Sequence, residues 1–472
     1  MTALQKSVEK AAEIIKEHDY AMVISHYDAD GLTSAGIICN ALLRRGIQFH
    51  ATIVSKLERS FIQGLNEELI IFCDMGTAQS DLISEYLKEK DVIIIDHHAP
   101  LTSASTSASS FVLINPYCFS EEGKGESEIC AAGISYLVAR CLSGGGGGGE
   151  SGEDNIDLAG LAVAGTLGDK LEMDSGINKM ILDEAIKEGV ISVKKGLKLG
   201  DGKIRDLILF STDPYIPLAG KVEWVDAFLN KEGIEGDKKL SDLEEEEERR
   251  LTTALLSLLK ESKAGVSEDT LVGTTHILNS EVVRNGIDFM RMVDACGRFG
   301  KAGIGIGLCL REEKMIEEAA SLYIKFQSKL VSELNRIESG EGMAIKELPN
   351  IFYFYVHERG VTGVLAGIVA EYLYTGKPVI ALNNIGGADD EGKRAETKIS
   401  ARCDKKLLSV SEGEGEGAGI DLAKAMEKAS KEVGGYGGGH PVASGAAIPE
   451  GSEEKFVTTL DKIIGEQKGE NS

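Results

Sequence analysis

Short aliphatic runs that end on an acid or an imidazole recur through the first third of this chain, and they constrain its fold more than any other feature. Ala21-Met22-Val23-Ile24 runs into Ser25-His26-Tyr27-Asp28-Ala29-Asp30-Gly31. Leu69 to Cys73 ends at Asp74, and Val92 to Ile95 ends at Asp96-His97-His98. An apolar stretch from Leu158 to Ala164 leads to Gly165-Thr166-Leu167-Gly168-Asp169. The spacing predicts strands over 21–25, 51–55, 69–73, 92–95 and 111–114, with helices over 33–45 and 78–90. Short apolar strands joined by amphipathic helices imply a parallel, doubly wound sheet. In such a sheet ligands gather outside the carboxyl ends of the strands, where Asp28, Asp74 and Asp96 fall.

A length of 472 residues with 42% hydrophobic content supports two or three domains with a sizeable core. The expected class is α/β: an N-terminal doubly wound sheet over 1–195, a mixed insertion over 196–345 and a smaller α/β domain over 346–472. That last domain is read from strand patterns at 351–356, 378–382, 398–402 and 446–449, with helices at 361–374 and 420–433. A strong helix pattern at 321–337 leads into it. Residues 101–110, rich in Ser and Thr, and the six-glycine stretch within 143–155 read as flexible surface insertions. Residues 412–419 read as a Gly/Glu loop, and the charge run from Asp242 to Arg250 reads as a solvated helix face.

A formal charge of −25 argues against a coat protein for nucleic acid, while leaving room for a locally basic channel. Eight cysteines without a C-x-x-C pair exclude a zinc ribbon and argue against a disulfide framework. The first 18 residues read as an amphipathic helix rather than a signal peptide, and no apolar run is long enough to span a bilayer. A soluble, cytoplasmic protein without membrane contact is expected.

His26-x-Asp28-x-Asp30 offers three ligands within five residues, and strand alternation continued past Ser25 would point them one way. The competing reading is an ordinary Asp-Gly turn. In Asp96-His97-His98, His97 suits a metal through a neutral nitrogen oriented by an acid, and His98 suits a phosphate oxygen or a proton transfer. Asp74 and Asp169 are single carboxylates that could also be a helix cap and a turn residue. Two ions about 3.5–4 Å apart need a bridging carboxylate, a part open to Asp74 or another central acid. Mixed carboxylate and imidazole ligation suits two Mn²⁺ ions, with Mg²⁺ as substitute.

Near the other end, Gly437-Gly438-Gly439-His440 lets backbone amides approach an anion. Residues 393–406 carry six basic side chains in fourteen positions, Arg402 among them. Arg284, Arg291 and Arg298 recur every seventh residue, so a helix would align them as a phosphate-tracking stripe or a solvated face. There is no G-x-x-x-x-G-K-[ST] and no G-x-S-x-G, so nucleotide-triphosphate motors and serine hydrolases lack support.

Taken together, these motifs resemble the DHH phosphoesterase superfamily. Asp28-x-Asp30, Asp74, Asp96-His97-His98 and Gly168-Asp169 match its four N-terminal motifs. Gly437-Gly438-Gly439-His440 with Ala443-Ser444-Gly445 matches the glycine-rich signature of the associated DHHA1 domain. His357 to Ala370 resembles the H-x-x-G-V-x-G-x-x-A stretch of RecJ-type exonucleases. Val293 to Arg298 resembles the N-A-C-G-R segment of archaeal RecJ-like proteins, with Asp294 in place of Asn.

The resemblance implies that Asp28, Asp30, Asp74, His97 and Asp169 bind two metals, with His26 a further candidate ligand two residues before Asp28. It implies that His98, with Asp96 beside it, serves catalysis at the scissile phosphate. Arg402, Gly437, Gly438, Gly439 and His440 would hold substrate phosphates, and Arg298 is a further substrate candidate. The implied activity is metal-dependent exonuclease action on single-stranded DNA or RNA in replication or repair, with GINS-like replication proteins as partners. A phosphodiesterase of short oligonucleotides or cyclic dinucleotides is the second reading. A replisome scaffold with a residual site is the third. The eukaryotic replication-helicase relative has lost catalytic acids that this chain keeps, which favours an active enzyme.

Overall fold

The computed structural model describes residues 3–98, 111–118, 129–143, 154–261, 267–340, 345–384, 396–408 and 419–469. The expected insertion at 101–110 and most of those at 143–155 and 412–419 lie outside them, as do residues 393–395 of the basic segment. The chain divides into two compact units. Residues 1–196 and 274–323 form the first, and 197–273 with 324–472 form the second. Among the described residues, no helix is long and apolar enough to cross a membrane.

The first unit is built on five parallel strands: β1 (Tyr20–Ser25), β2 (Gln48–Ile53), β3 (Leu69–Cys73), β4 (Asp91–Ile95) and β5 (Val112–Ile114). Their order is β2-β1-β3-β4-β5, so the chain reverses its direction of travel across the sheet at β1. The crevice beside such a reversal is where a doubly wound sheet takes its ligand. The three central strands are buried on both faces, which is why they read as unbroken apolar runs. β2 begins three residues before the expected strand. It is a half-buried edge strand whose opening residues Gln48 and His50 carry no apolar signal.

Helices Ala29–Arg44 and Ala131–Leu142 pack on this sheet, and helix Ala159–Gly168 packs on both of them. The first starts four residues earlier than expected, because Asp28 caps it by accepting from the Gly31 amide at 3.0 Å. The helix expected over 78–90 is shorter, Ser80–Tyr86, after a 3-10 turn Thr77–Gln79. Asp96 takes the Thr77 amide at 2.9 Å and so pins the start of that turn.

Helix Gly286–Arg298 completes this unit. It presses so closely on the loop after β1 that a Cβ at Gly297 would stand 1.6 Å from the Tyr27 carbonyl oxygen. Arg284 precedes this helix, and its side chain donates to Asn279. The stripe with Arg291 and Arg298 is therefore broken, because the helix capped by Asn285 starts at Gly286, two residues after Arg284.

The two-stranded pair β6 (Ile191–Leu197) and β7 (Val272–Leu278) forms a separate small sheet. The second unit holds a helical cluster around Leu251, Leu255 and Leu259 of helix Glu245–Glu261. The opposite side of that helix carries the solvated charge run. The same unit holds a six-stranded sheet of β8 (Lys346–Glu347), β9 (Phe352–Tyr355), β10 (Val379–Asn383), β11 (Glu396–Arg402), β12 (Tyr436–Gly439) and β13 (Ala443–Pro449), ordered β12-β13-β11-β10-β9-β8. Helices Leu422–Glu432 and Glu453–Gln467 bury one face of that sheet around Ile399, Ala401 and Ile448. The glycines of Gly437-Gly438-Gly439-His440 form strand β12. Each of Gly437, Gly438 and Gly439 pairs with a residue of β13.

This packing has two testable consequences. Gly297→Ala should unfold or displace the loop carrying His26 and Asp28, lowering stability by about 1–3 kcal/mol or more in thermal unfolding. His276 on β7 is buried with neither ring nitrogen hydrogen-bonded, and burial pushes its pKa down from 6.5 to about 4. A folded-state pKa below the unfolded one means that this histidine disfavours protonation of the fold. Its contribution is complete above pH 6.5 and is lost as pH falls toward 4, to the extent of about 3 kcal/mol. Urea titrations of wild type and His276→Phe across that window should diverge by this amount.

Candidate metal centre

The β1, β3 and β4 ends set three of the acidic groups side by side, and a helix end supplies a fourth. Asp28 follows β1 at the helix cap, and Asp74 follows β3 directly. The Asp74 backbone is left-handed at φ 58°, a conformation that a non-glycine residue holds only where its surroundings impose it. Asp96 follows β4. Asp169 caps the C-terminal end of helix Ala159–Gly168.

The Gly165-x-x-Gly168-Asp169 spacing has a packing reason. A Cβ at Gly165 would lie 2.8 Å from Asp30 Oδ1 and 2.7 Å from Thr33 Oγ1, and one at Gly168 2.8 Å from Ala29 Cβ. Only glycine lets this helix cross the start of Ala29–Arg44 closely enough to deliver Asp169.

The expected common direction of His26, Asp28 and Asp30 does not hold. Strand alternation stops at Ser25, and Asp30 sits in the first turn of a helix. Its two oxygens accept the Ala131 and Ala132 amides at 2.8 Å, at the start of helix Ala131–Leu142. Asp30 therefore turns toward His97 and Asp169, while His26 and Asp28 turn toward Asp74.

Two sets of three ligand atoms, each within 4.8 Å of one another, share no residue: His26, Asp28 and Asp74, and Asp30, His97 and Asp169. Asp74 lies between them. Its Oδ2 is 3.4 Å from His26 Nδ1, and its Oδ1 is 3.4 Å from His97 Nε2. His97 Nε2 is also 3.2 Å from Asp169 Oδ2 and 3.6 Å from Asp30 Oδ2. A further set of Asp74, His97 and His98 overlaps both.

Buried carboxylates this close push one another's protonation up. Burial and the charges of Asp28 and Asp30 raise Asp74 well above the usual carboxylate range, and burial with Asp30 does the same to Asp169. Asp169 also sits at the negative end of a helix dipole, a poor place for an anion. Asp74 Oδ1 and Asp169 Oδ2 are buried without a hydrogen-bond donor among the described residues.

The histidines answer the same field. Burial disfavours a charged His26, but the Asp28 and Asp74 carboxylates prevail and push its pKa up to about 11. His97 is raised by Asp169 and Asp30 against its burial. Burial also works against the Asp28 anion, yet the His26 hydrogen bond and charge, the Gly31 amide and Arg298 hold it below the usual range. Orphaned acceptors, excess negative charge and carboxylate–imidazole donors together fit divalent cations.

Asp96 joins none of these sets. It accepts from the Thr77, His97 and His98 amides and meets His98 Nδ1 at 2.8 Å. It is an orienting group for the two histidines. Asn115, which the sequence reading passed over, donates to the His98 carbonyl and to Thr77 Oγ1 at 2.9 Å. It directly follows the apolar run of β5, the same strand-end position as the acids, and that signal could have marked it.

Arg298 stands near enough to Asp28 to lower its pKa, and it is paired with Asp294 at 2.5 Å. In the second unit, Arg402 ends β11, and His440 closes the turn from β12 to β13 by backbone bonds with Ala443.

The DHH family N-terminal domain matches residues 21–166, and the DHHA1 domain matches residues 348–466. An uncharacterized protein of Methanocaldococcus jannaschii is 34% identical over 98% of both chains. The chain belongs to the DHH family. Within it, the single-stranded-DNA-specific exonuclease RecJ of Bacillus subtilis is 22% identical over 69% of this chain, which spans 42% of that protein. The fold resembles that of RecJ in complex with Mn²⁺ from Thermus thermophilus, with a TM-score of 0.57 and 18% identity over 98% of this chain and 55% of that one. It also resembles CDC45 from Entamoeba histolytica, with a TM-score of 0.65 and 13% identity over 98% and 99%. A DHH and DHHA1 pair of RecJ-like architecture is a phosphoesterase fold and supports nuclease or phosphodiesterase activity.

Crowded carboxylates make a signed prediction. Asp74→Asn should stabilise the metal-free chain, because it removes one of the repelling charges. It should also cancel most of the gain from Mn²⁺, which for the wild type reaches about 2.7 kcal/mol at a hundredfold excess over Kd. Melting temperatures with and without Mn²⁺ read both signs.

Proposed function

We propose that this chain is a divalent-metal-dependent exonuclease that hydrolyses phosphodiester bonds of single-stranded DNA or RNA from an end, with a role in replication or repair. The observation that carries the reading is Asp74, whose two oxygens face two separate ligand sets. His26 and Asp28 would hold one ion, and Asp30, His97 and Asp169 a second, with Asp74 shared. Mn²⁺ suits these donors, and Mg²⁺ would substitute. When bound, such ions polarise a phosphoryl oxygen and lower the pKa of water.

The chain's own groups do the rest. Asp96 fixes the His98 ring through Nδ1, so that Nε2 would donate to an oxygen of the scissile phosphate. Both the Asp96 hydrogen bond and its charge favour the imidazolium, raising the His98 pKa against burial. Arg298, held by Asp294, adds positive potential beside Asp28. In the second unit, Arg402, His440 and the glycine strand would bind substrate phosphates. Antiparallel alternation turns the Gly437 and Gly439 amides away from β13, toward the open edge of the sheet.

End-labelled DNA and RNA strands incubated with Mn²⁺ should shorten progressively, and EDTA should stop this. Asp169→Ala and His97→Ala should each lose about a thousandfold in kcat while still unfolding cooperatively in EDTA. Strands left intact in both Mn²⁺ and Mg²⁺ would reject the reading. Cleavage confined to a two-nucleotide substrate would replace it with a short-oligonucleotide phosphodiesterase.

A further inference from the structure

The second face of the second unit's six-stranded sheet, which helix Thr362–Ile368 covers over β10 and β11, carries more beyond that helix than the residues so far assigned to phosphate. Along β11, Thr397, Ile399 and Ala401 are buried, so Lys398, Ser400 and Arg402 alternate onto the other face. Pairing carries three rows across that face. Ser400 stands beside Gly445, and Gly445 beside Gly438. Lys398 stands beside Ala447, and Ala447 beside Tyr436. Arg402 stands beside Ala443, which pairs with His440 at the turn.

The result is a floor of small residues with a larger side chain at each corner: Tyr436, His440, Arg402 and Lys398. Two strand spacings by four residues make it about 10 by 13 Å. A Cβ at Gly438 would meet no described atom within 4 Å, so the β12 side of the floor lies open. Tyr436 is 58% exposed beside it. Gly363, at the start of helix Thr362–Ile368, borders the far side, where a Cβ would touch Arg402 Nη2 at 3.1 Å.

An exposed tyrosine at the edge of a glycine floor, with two cations on the strand beyond β13, matches the parts of a single nucleotide within a strand. One planar apolar surface meets a base, and positive charge meets the phosphates on either side. We infer that Tyr436 stacks the base of one bound nucleotide, while Lys398, across the same floor, takes a flanking phosphate. This rests on the strand-nuclease reading above and adds a base contact to it. Stacking on tyrosine tolerates any base, so the basin grips every nucleotide that passes through it.

The test compares an intact strand with an all-abasic strand of the same length, in Mn²⁺, using the full chain. Tyr436→Ala should raise KM for the intact strand about tenfold with kcat retained, Tyr436→Phe should match wild type, and neither should change KM for the abasic strand. Lys398→Glu should raise KM on both strands alike and flatten its salt dependence. Gly438→Val meets no described atom and should melt like wild type, yet raise KM by filling the floor. Wild-type KM for Tyr436→Ala on the intact strand, or equal losses on both strands, would overturn the inference. Wild-type hydrolysis of bis(4-nitrophenyl) phosphate with no action on any strand would instead overturn the strand-nuclease reading, and this inference with it.

Discussion

Mutual repulsion among buried carboxylates is the constraint around which the first unit is organised. Asp28, Asp30, Asp74 and Asp169 come from a helix cap, a helix first turn, a strand end and a helix C-terminus, and they meet within a few ångströms. Nothing in hydrophobic folding favours that. Each carboxylate removed from water costs several kcal/mol unless it is compensated. The protein compensates only in part. Asp30 receives two helix N-terminal amides, and Asp28 receives Gly31 and His26. Asp74 and Asp169 keep an orphaned oxygen each, and Asp74 holds a left-handed backbone as well. Strain and unmet acceptors concentrated at one point are what a fold tolerates when a cation is to balance them.

The surrounding scaffold is shaped by that requirement. Gly165 and Gly168 exist as glycines so that one helix can touch another at backbone distance, and Gly297 does the same against the loop after β1. These are three separate close approaches, and each positions a different part of the acidic group. The sheet supplies the remaining order. Parallel strands with both faces buried all end on the same side, so residues far apart in sequence arrive together without any loop needing to be long.

Much of this was legible in the sequence because strand ends are marked twice, once by the apolar run and once by the charge that breaks it. Asp74, Asp96 and His97 were found that way, and Asn115 would have been had amides been weighed with acids. What was not legible is orientation beyond the strand. A two-residue period holds only while the backbone stays extended, and the helix that starts at Ala29 sends Asp30 to a different partner set from Asp28. The role of Asp96 was hidden for a related reason. Its carboxylate is consumed by the three amides that follow from the turn geometry and by one histidine, which no linear pattern encodes. That Gly437, Gly438 and Gly439 would lie in a strand was not legible either, because glycine is a poor strand former. Only their pairing with Ala443–Pro449 makes them one.

A net charge of −25 is compatible with a polyanionic substrate for reasons of range. At physiological salt, exposed charges are screened over about 8 Å, so a strand senses the groups it touches and little of the distant surface. In the first unit the acidic cluster makes the local charge negative, so on the proposed reading phosphate binding there would be conditional on metal. In the second unit Lys398 and Arg402 lie on one strand four residues apart, and their charge needs no ion. On that reading, affinity and chemistry would rest on separate sources of positive charge: one permanent, on the sheet of β11 to β13, and the other brought by divalent ions to Asp74 and its neighbours.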